Sequence, residues 1–141
     1  VSDAEQIRQV LWNLFLNASE AMSRRGVLHI KTEWIRPKSA RGRTNRMKIV
    51  VRDTGKGFSN EDLTKLFVPF YTTKTGGTGL GLATVKRIVE GLQGEVSGRN
   101  HPEGGAQIEI ILPASPSKEL FSRLAGSLRS NKVVSPVSGI V

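Results

Sequence analysis

Asn13 and Asn17 stand four residues apart in a stretch whose apolar residues recur at helical spacing, with Glu20 just beyond. A helix would put both amides on one side and Glu20 on the next turn. Amides beside an apolar stripe need partners, because an unmet buried amide costs ~1–3 kcal/mol. A magnesium ion and phosphate oxygens would supply them, since magnesium takes few protein ligands and fills its shell with phosphate and water. Backbone groups of a nearby loop would serve as well.

A second constellation is Asp53-Thr54-Gly55-Lys56-Gly57, at the end of a β-branched run. Its glycines permit positive φ and a close approach to the backbone. A carboxylate there can accept a hydrogen bond from the exocyclic amine of adenine. Guanine presents an oxygen instead, so the same group would select ATP over GTP. The plain alternative is a turn in which Asp53 bonds the amides that follow it. The third constellation is Lys74-Thr75-Gly76-Gly77-Thr78-Gly79-Leu80-Gly81, running into a helical pattern. Loop amides at the positive end of a helix make an anion site, and Lys74 adds a point charge. The loop fits neither the Walker pattern nor the dinucleotide G-x-G-x-x-G turn, and a solvated loop is an equal reading.

These residues need elements to hold them. Ile7, Val10, Leu11, Leu14, Ala18, Ala21 and Met22 predict a helix over Asp3 to Arg25, stopped by Gly26. Val27 to Ile35 and Met47 to Asp53 read as strands of a hairpin with an extended loop. A short helix follows over Asn60 to Leu66, capped by Ser59 or Asn60. Leu66-Phe67-Val68-Pro69-Phe70-Tyr71 gives the apolar anchor of a lid, or a core edge. Helical spacing returns over Gly79 to Leu92, and strands follow at Gly94–Asn100 and Gly105–Leu112. Residues 1–113 make one domain; the tail 114–141 carries at most a weak helix over 117–128 before an unstructured end.

The net charge is +9, but the body is neutral: residues 1–35 hold four basic and four acidic side chains, and residues 49–113 hold seven of each. The excess lies in the loop 36–48, with six basic residues and no acid, and in the tail. A nucleic-acid binder spreads basic groups over a folded face, so no nucleic-acid partner is expected. The absence of cysteine excludes disulfides, thiolate nucleophiles and zinc–thiolate sites. No apolar run approaches the ~20 residues of a membrane span, and no leader opens the chain. The expectation is a cytoplasmic domain with no membrane insertion of its own, the parent's anchoring left open.

In this order and spacing the motifs resemble the ATP-binding domain of two-component sensor histidine kinases, in the superfamily shared with gyrase, mismatch-repair and heat-shock ATPases. Asn13 to Ala21 matches the N box, Asp53 to Gly57 the first glycine box, Phe67 to Lys74 the F box, and Gly77 to Gly81 the second glycine box. Asn17-Ala18-Ser19-Glu20-Ala21 and Pro69-Phe70-Tyr71-Thr72-Thr73-Lys74 are most similar to the nitrogen-regulation type. The resemblance implies an α+β fold, a two-layer Bergerat-type sandwich with a mixed, mostly antiparallel sheet and helices on one face. It implies that Asn17, with Asn13 beside it, holds Mg2+, and that Asp53 binds the adenine amine in a pocket shaped by Gly55 and Gly57. Lys74, Thr78, Gly79, Leu80 and Gly81 then face the phosphates of ATP. Glu20 and Arg24 are weaker candidates.

The hydrolytic members of the superfamily carry a glutamate, the general base for water, where Asn13 stands. An amide cannot take that proton, whereas phosphoryl transfer needs mainly positioning and charge neutralisation. The resemblance therefore implies a domain that hands its γ-phosphoryl to a histidine on its own dimerisation domain, for relay to a response-regulator aspartate. His29 and His101 fit no phosphoacceptor motif, so that histidine is not in this chain. Other departures are a start without the family's preceding strands, a short lid at Thr75 to Gly77, and Gly104-Gly105-Ala106-Gln107-Ile108 where a threonine and an aromatic are usual. The alternatives are a serine kinase of the anti-sigma type and a nucleotide-gated module without transfer, with a nucleic-acid binder through the basic loop last.

Overall fold

Ile7, Val10, Leu14 and Ala18 recur at the spacing of one helix face, and all four are buried on α1 (Asp3–Ala21). Asp3 and Glu5 occupy its first turn, where negative charge meets the positive end of the helix dipole. Alternation then sets the strands. On β2 (Arg46–Asp53) Met47, Ile49, Val51 and Asp53 are buried in turn, while the residues between them face away. The structure, a computed structural model, describes residues 3–23, 25–36 and 45–113.

The remaining elements are β1 (Leu28–Ile35), α2 (Asn60–Lys65), α3 (Gly81–Gly91), β3 (Glu95–Asn100) and β4 (Ala106–Pro113). The sheet runs β1-β2-β4-β3 and every pairing is antiparallel. Leu28 lies opposite Asp53 and Ile35 opposite Arg46, so the first two strands form the expected hairpin. Helices α1 and α3 pack against each other and onto one face of the sheet. The core between the layers joins Val85, Ile88 and Val89 of α3 to Ile108, Ile110 and Leu112 of β4 and the inward residues of α1 and β2.

The other face of the sheet is polar. Glu109 of β4 accepts from Lys48 at 2.8 Å, Arg99 at 3.2 Å and Gln107 at 2.6 Å. Lys48 foremost holds the Glu109 carboxyl below its ordinary value. Arg46 pairs with Glu95 at 3.1 Å. These bonds tie three strands together on the side that no described helix covers.

The α+β two-layer fold expected from the sequence is the one observed, with three differences of detail. Among the described residues the sheet is wholly antiparallel, not mixed. Helix α1 ends at Ala21 rather than Arg25, because Ser23 turns left-handed at φ +50° and its amide bonds Glu20 O; Gly26 comes after the stop. Helix α3 starts at Gly81, since Gly79 at φ +68° cannot belong to a right-handed helix. The tail helix over 117–128, most of the basic loop and Arg24 lie outside the described residues. Among those described, no helix is long and apolar enough to cross a membrane.

Met47, 1% exposed near the start of β2, is the sharpest test of this core. Met47→Ala is expected to lower the unfolding free energy by about 2–5 kcal/mol, measured as a lower urea midpoint at unchanged slope.

Candidate functional site

Asp53 ends β2 on the inward face, so its carboxylate turns into the molecule and is only 6% exposed. A buried charge needs partners, and Asp53 Oδ1 accepts from the amides of Gly55 at 2.8 Å and Ala106 at 3.2 Å. Among the described residues nothing bonds Oδ2. Behind it Gly105, at φ +85°, lies so close that a Cβ there would come within 1.9 Å of Asp53 O. The turn between β3 and β4 is thus pressed against the end of β2. The first glycine box is held from the same hairpin: Phe58 N donates to Asn100 Oδ1 and Asn100 Nδ2 to Phe58 O, both at 2.8 Å.

Asp53 lines a cavity of about 440 Å³ between α1, β2, the segment 71–81 and β4. Asn13, Asn17 and Glu20 reach its wall from α1. A Cβ at Gly81 would sit 3.6 Å from Asn13 Oδ1 and 3.5 Å from Asn17 Nδ2, so the start of α3 abuts both amides. Lys74 crosses to the same helix: its Nζ donates to Asn17 Oδ1 at 2.9 Å and pairs with Glu20 Oε2. Val51, Leu14, Ala18 and Ile108 add apolar wall.

The segment above the cavity is pinned at both ends. Phe70 N donates to Gly79 O at 2.9 Å, closing a neck under residues 71–78. The fit at this neck is tight, since a Cβ on Gly79 would lie 2.5 Å from the Phe70 carbonyl carbon. Phe70 itself is left-handed, φ +66°, and 76% exposed. Tyr71 then anchors the segment to α2, its hydroxyl donating to Asp62 Oδ1 at 2.7 Å. Asp62 also closes a capping box with Ser59, its Oδ2 accepting from Ser59 N at 3.0 Å and its own amide donating to Ser59 Oγ at 3.1 Å. The Tyr71 bond holds the Asp62 carboxyl below its ordinary value, and Asp62 in turn pushes Tyr71 up to about 12.

One cavity therefore gathers Asn13, Asn17, Asp53, Gly57, Lys74, Thr78, Gly79, Leu80 and Gly81. Gly55 is not on its wall; its amide instead orients Asp53. The alternative reading of Asp53, bonding the amides that follow, describes one of its two oxygens only. Sequence reasoning missed Asn100, Ala106 and the bonding partner of Tyr71. Asn100 and Ala106 act on backbone or through it, and carry no motif.

The donor set suits a nucleotide with its metal. Asp53 Oδ2 is an open acceptor beside an apolar wall, as an adenine amine requires. Asn17 Oδ1 and Glu20 already hold a cation, the Lys74 ammonium. Among the described residues no cluster of three or more His, Cys, Asp or Glu could hold a metal alone. A metal here would share its shell with phosphate and water, which is how magnesium binds.

A family model described as histidine kinase-, DNA gyrase B-, and HSP90-like ATPase matches residues 2–116. The chain is 38% identical over 114 residues to the sensor histidine kinase ZraS of Klebsiella oxytoca, an alignment covering 81% of this chain and 23% of that protein. It is 39% identical over 115 residues to the signal transduction histidine-protein kinase AtoS of Escherichia coli strain K12, covering 82% and 18%. The chain thus spans 23% and 18% of these two curated relatives. The nucleotide-free catalytic domain of the histidine kinase ThkA superposes with a TM-score of 0.64 at 32% identity, over 79% of this chain and 69% of that one. Full-length ShkA in complex with AMPPNP superposes at 0.57 with 29% identity, over 77% and 21%.

The Tyr71–Asp62 bond makes a pH prediction. Asp62's depressed value means its stabilisation is present above the ordinary carboxylate range and is lost as pH falls through the depressed one. Tyr71's raised value means its share is present below its ordinary 10.0 and is lost as pH rises toward about 12. Because the chain has a single tyrosine, an absorbance titration reads Tyr71 directly. It is expected to ionise near 12 in the unmodified chain, and closer to the ordinary value of about 10 in Asp62→Asn. An ordinary value in both would remove the tether.

Proposed function

The chain belongs to the histidine kinase-, DNA gyrase B- and HSP90-like ATPase family, and from that premise we propose that it is the ATP-binding catalytic domain of a sensor histidine kinase. It binds Mg-ATP and donates the γ-phosphoryl to a histidine on a separate dimerisation domain of its parent protein, from which a response-regulator aspartate takes it. Its place is the cytoplasm, where ATP is. The observation that carries this reading is Asp53: a buried carboxylate with one oxygen fixed by two amides and the other open, on the wall shared with Asn13, Asn17 and Lys74.

Asp53 Oδ2 accepts the adenine amine, while Oδ1 stays locked to Gly55 and Ala106 and keeps the acceptor aimed. Val51, Ile108 and Ala18 give the base an apolar bed. Thr78 and the amides around Gly79 and Gly81 meet the phosphates, aided by the positive end of α3. Asn17 offers its oxygen to the metal and Asn13 stands beside it. Bound magnesium neutralises phosphate charge and aligns the γ-phosphoryl. The acceptor imidazole brings its own lone pair: its nitrogen bonds to the γ-phosphorus as the bond to the ADP oxygen breaks. Asn13 has no basic oxygen with which to deprotonate water, so the site favours transfer over hydrolysis.

Calorimetry is expected to show saturable binding of ATP, weaker without magnesium and weaker for GTP. In Asp53→Asn the amide would present N–H to N–H, lowering ATP affinity by about one to two orders of magnitude and narrowing the preference over GTP. With a cognate dimerisation domain supplied, the transferred phosphate is expected to be acid-labile and base-stable. Acid-stable phosphate on a partner would instead mean a serine kinase, and binding without transfer a nucleotide-gated module.

A further inference from the structure

Lys74 has been assigned to phosphate and Asn17 to metal, yet here the two are bonded to each other. Lys74 Nζ donates to Asn17 Oδ1 at 2.9 Å and is ion-paired with Glu20 Oε2. An ammonium has three donors and no acceptor, so it sits between these oxygens as a cation would. The backbone of the lysine is bonded on both sides, its own amide donating to Thr72 Oγ1 and its carbonyl accepting from Gly77 N, both at 3.1 Å. The contact joins residues 57 apart and ties the segment 71–78 to α1. Glu20 lines the same cavity. Without a cation beside it, its carboxylate would face the triphosphate as like charge.

We propose that Glu20 is the positioning residue that parks Lys74 in the place of the metal, so that the nucleotide-free site carries its own cation and uptake of Mg-ATP is a cation exchange. Lys74 leaves Asn17 Oδ1 and Glu20 for phosphate oxygens, and the vacated Asn17 oxygen becomes available to the metal. One oxygen serves both cations in turn, which couples metal uptake to release of the segment above the cavity. This rests on the nucleotide reading, but part of it can be tested without nucleotide.

The first measurement is amide hydrogen exchange over residues 71–78 with magnesium or manganese chloride alone. In the unmodified chain the metal is expected to speed exchange there. In Glu20→Gln exchange is expected to be fast from the start and insensitive to metal. In Lys74→Met it is fast too, and manganese alone binds more tightly because its competitor is gone. The second is ATP binding in EDTA, where Glu20→Gln is expected to tighten metal-free ATP by roughly twofold to fivefold and Lys74→Met to weaken it. Glu20 is half exposed, so its replacement leaves folding intact, and an unchanged melting temperature checks this. If Glu20→Gln alters neither lid exchange nor metal-free affinity while Mg-ATP still binds, the pair is a solvated ion pair; the exchange is then overturned and the nucleotide reading stands. A chain whose lid loosens with metal but which takes no ATP keeps the latch and overturns the nucleotide reading.

Discussion

A carboxylate taken out of water must be met by hydrogen-bond donors, and the whole site is arranged around meeting that condition at Asp53. Two amides converge on Oδ1, one from the loop just after β2 and one from the first residue of β4. Meeting it fixes the path of the first glycine box and draws the β3–β4 turn against the strand end, where Gly105 leaves no room for a Cβ. Asn100 then pairs with both backbone groups of Phe58, much as a neighbouring strand would. The sheet and the pocket are thus not separate achievements. The register that buries Ile108 opposite Val51 is the one that delivers Ala106 N to Asp53.

The opposite wall works by charge rather than register. Asn17, Glu20 and Lys74 form a small polar cluster on the exposed side of a helix whose other side is core. Helix α1 therefore has two unrelated duties along one length. Ile7, Val10, Leu14 and Ala18 fasten it to the sheet and α3, which sets the backbone of Asn13 and Asn17 beside the start of α3. A site that must place amide oxygens for a metal gains from being built on a helix so firmly packed.

Much of this could be read from the chain. Period-3.6 spacing on α1 and α3 and alternation on β2 are consequences of burial itself, so they are written in residue types. Ser59, one of the two caps read from the sequence, marks the start of α2 because capping is local. The motif residues line one cavity because they sit on these elements or on the loops that join them. What escaped the sequence acts over distance or through the backbone. Ala106 contributes an N–H that almost any residue has, 53 positions from Asp53. Asn100 sits between Arg99 and His101 at a strand end, one polar residue among several, and nothing near it names Phe58 as its partner. The end of α1 was misplaced because glycine is the usual stop, while Ser23 turns left-handed here in its stead.

The neck between Phe70 and Gly79 has a consequence for how such a domain can vary. Its backbone bond and close contact isolate residues 71–78 as a bulb on a stem, with α3 starting just beyond. Lengthening the bulb adds closure entropy that grows only with the logarithm of its length, about 0.6 kcal/mol per doubling. The stem, and with it the helix start facing the asparagines, need not move. Lid length is therefore a nearly free variable in this architecture. Descendants of one ancestor could try short and long covers over an unaltered pocket, each tuning how long a nucleotide stays without renegotiating how it is held.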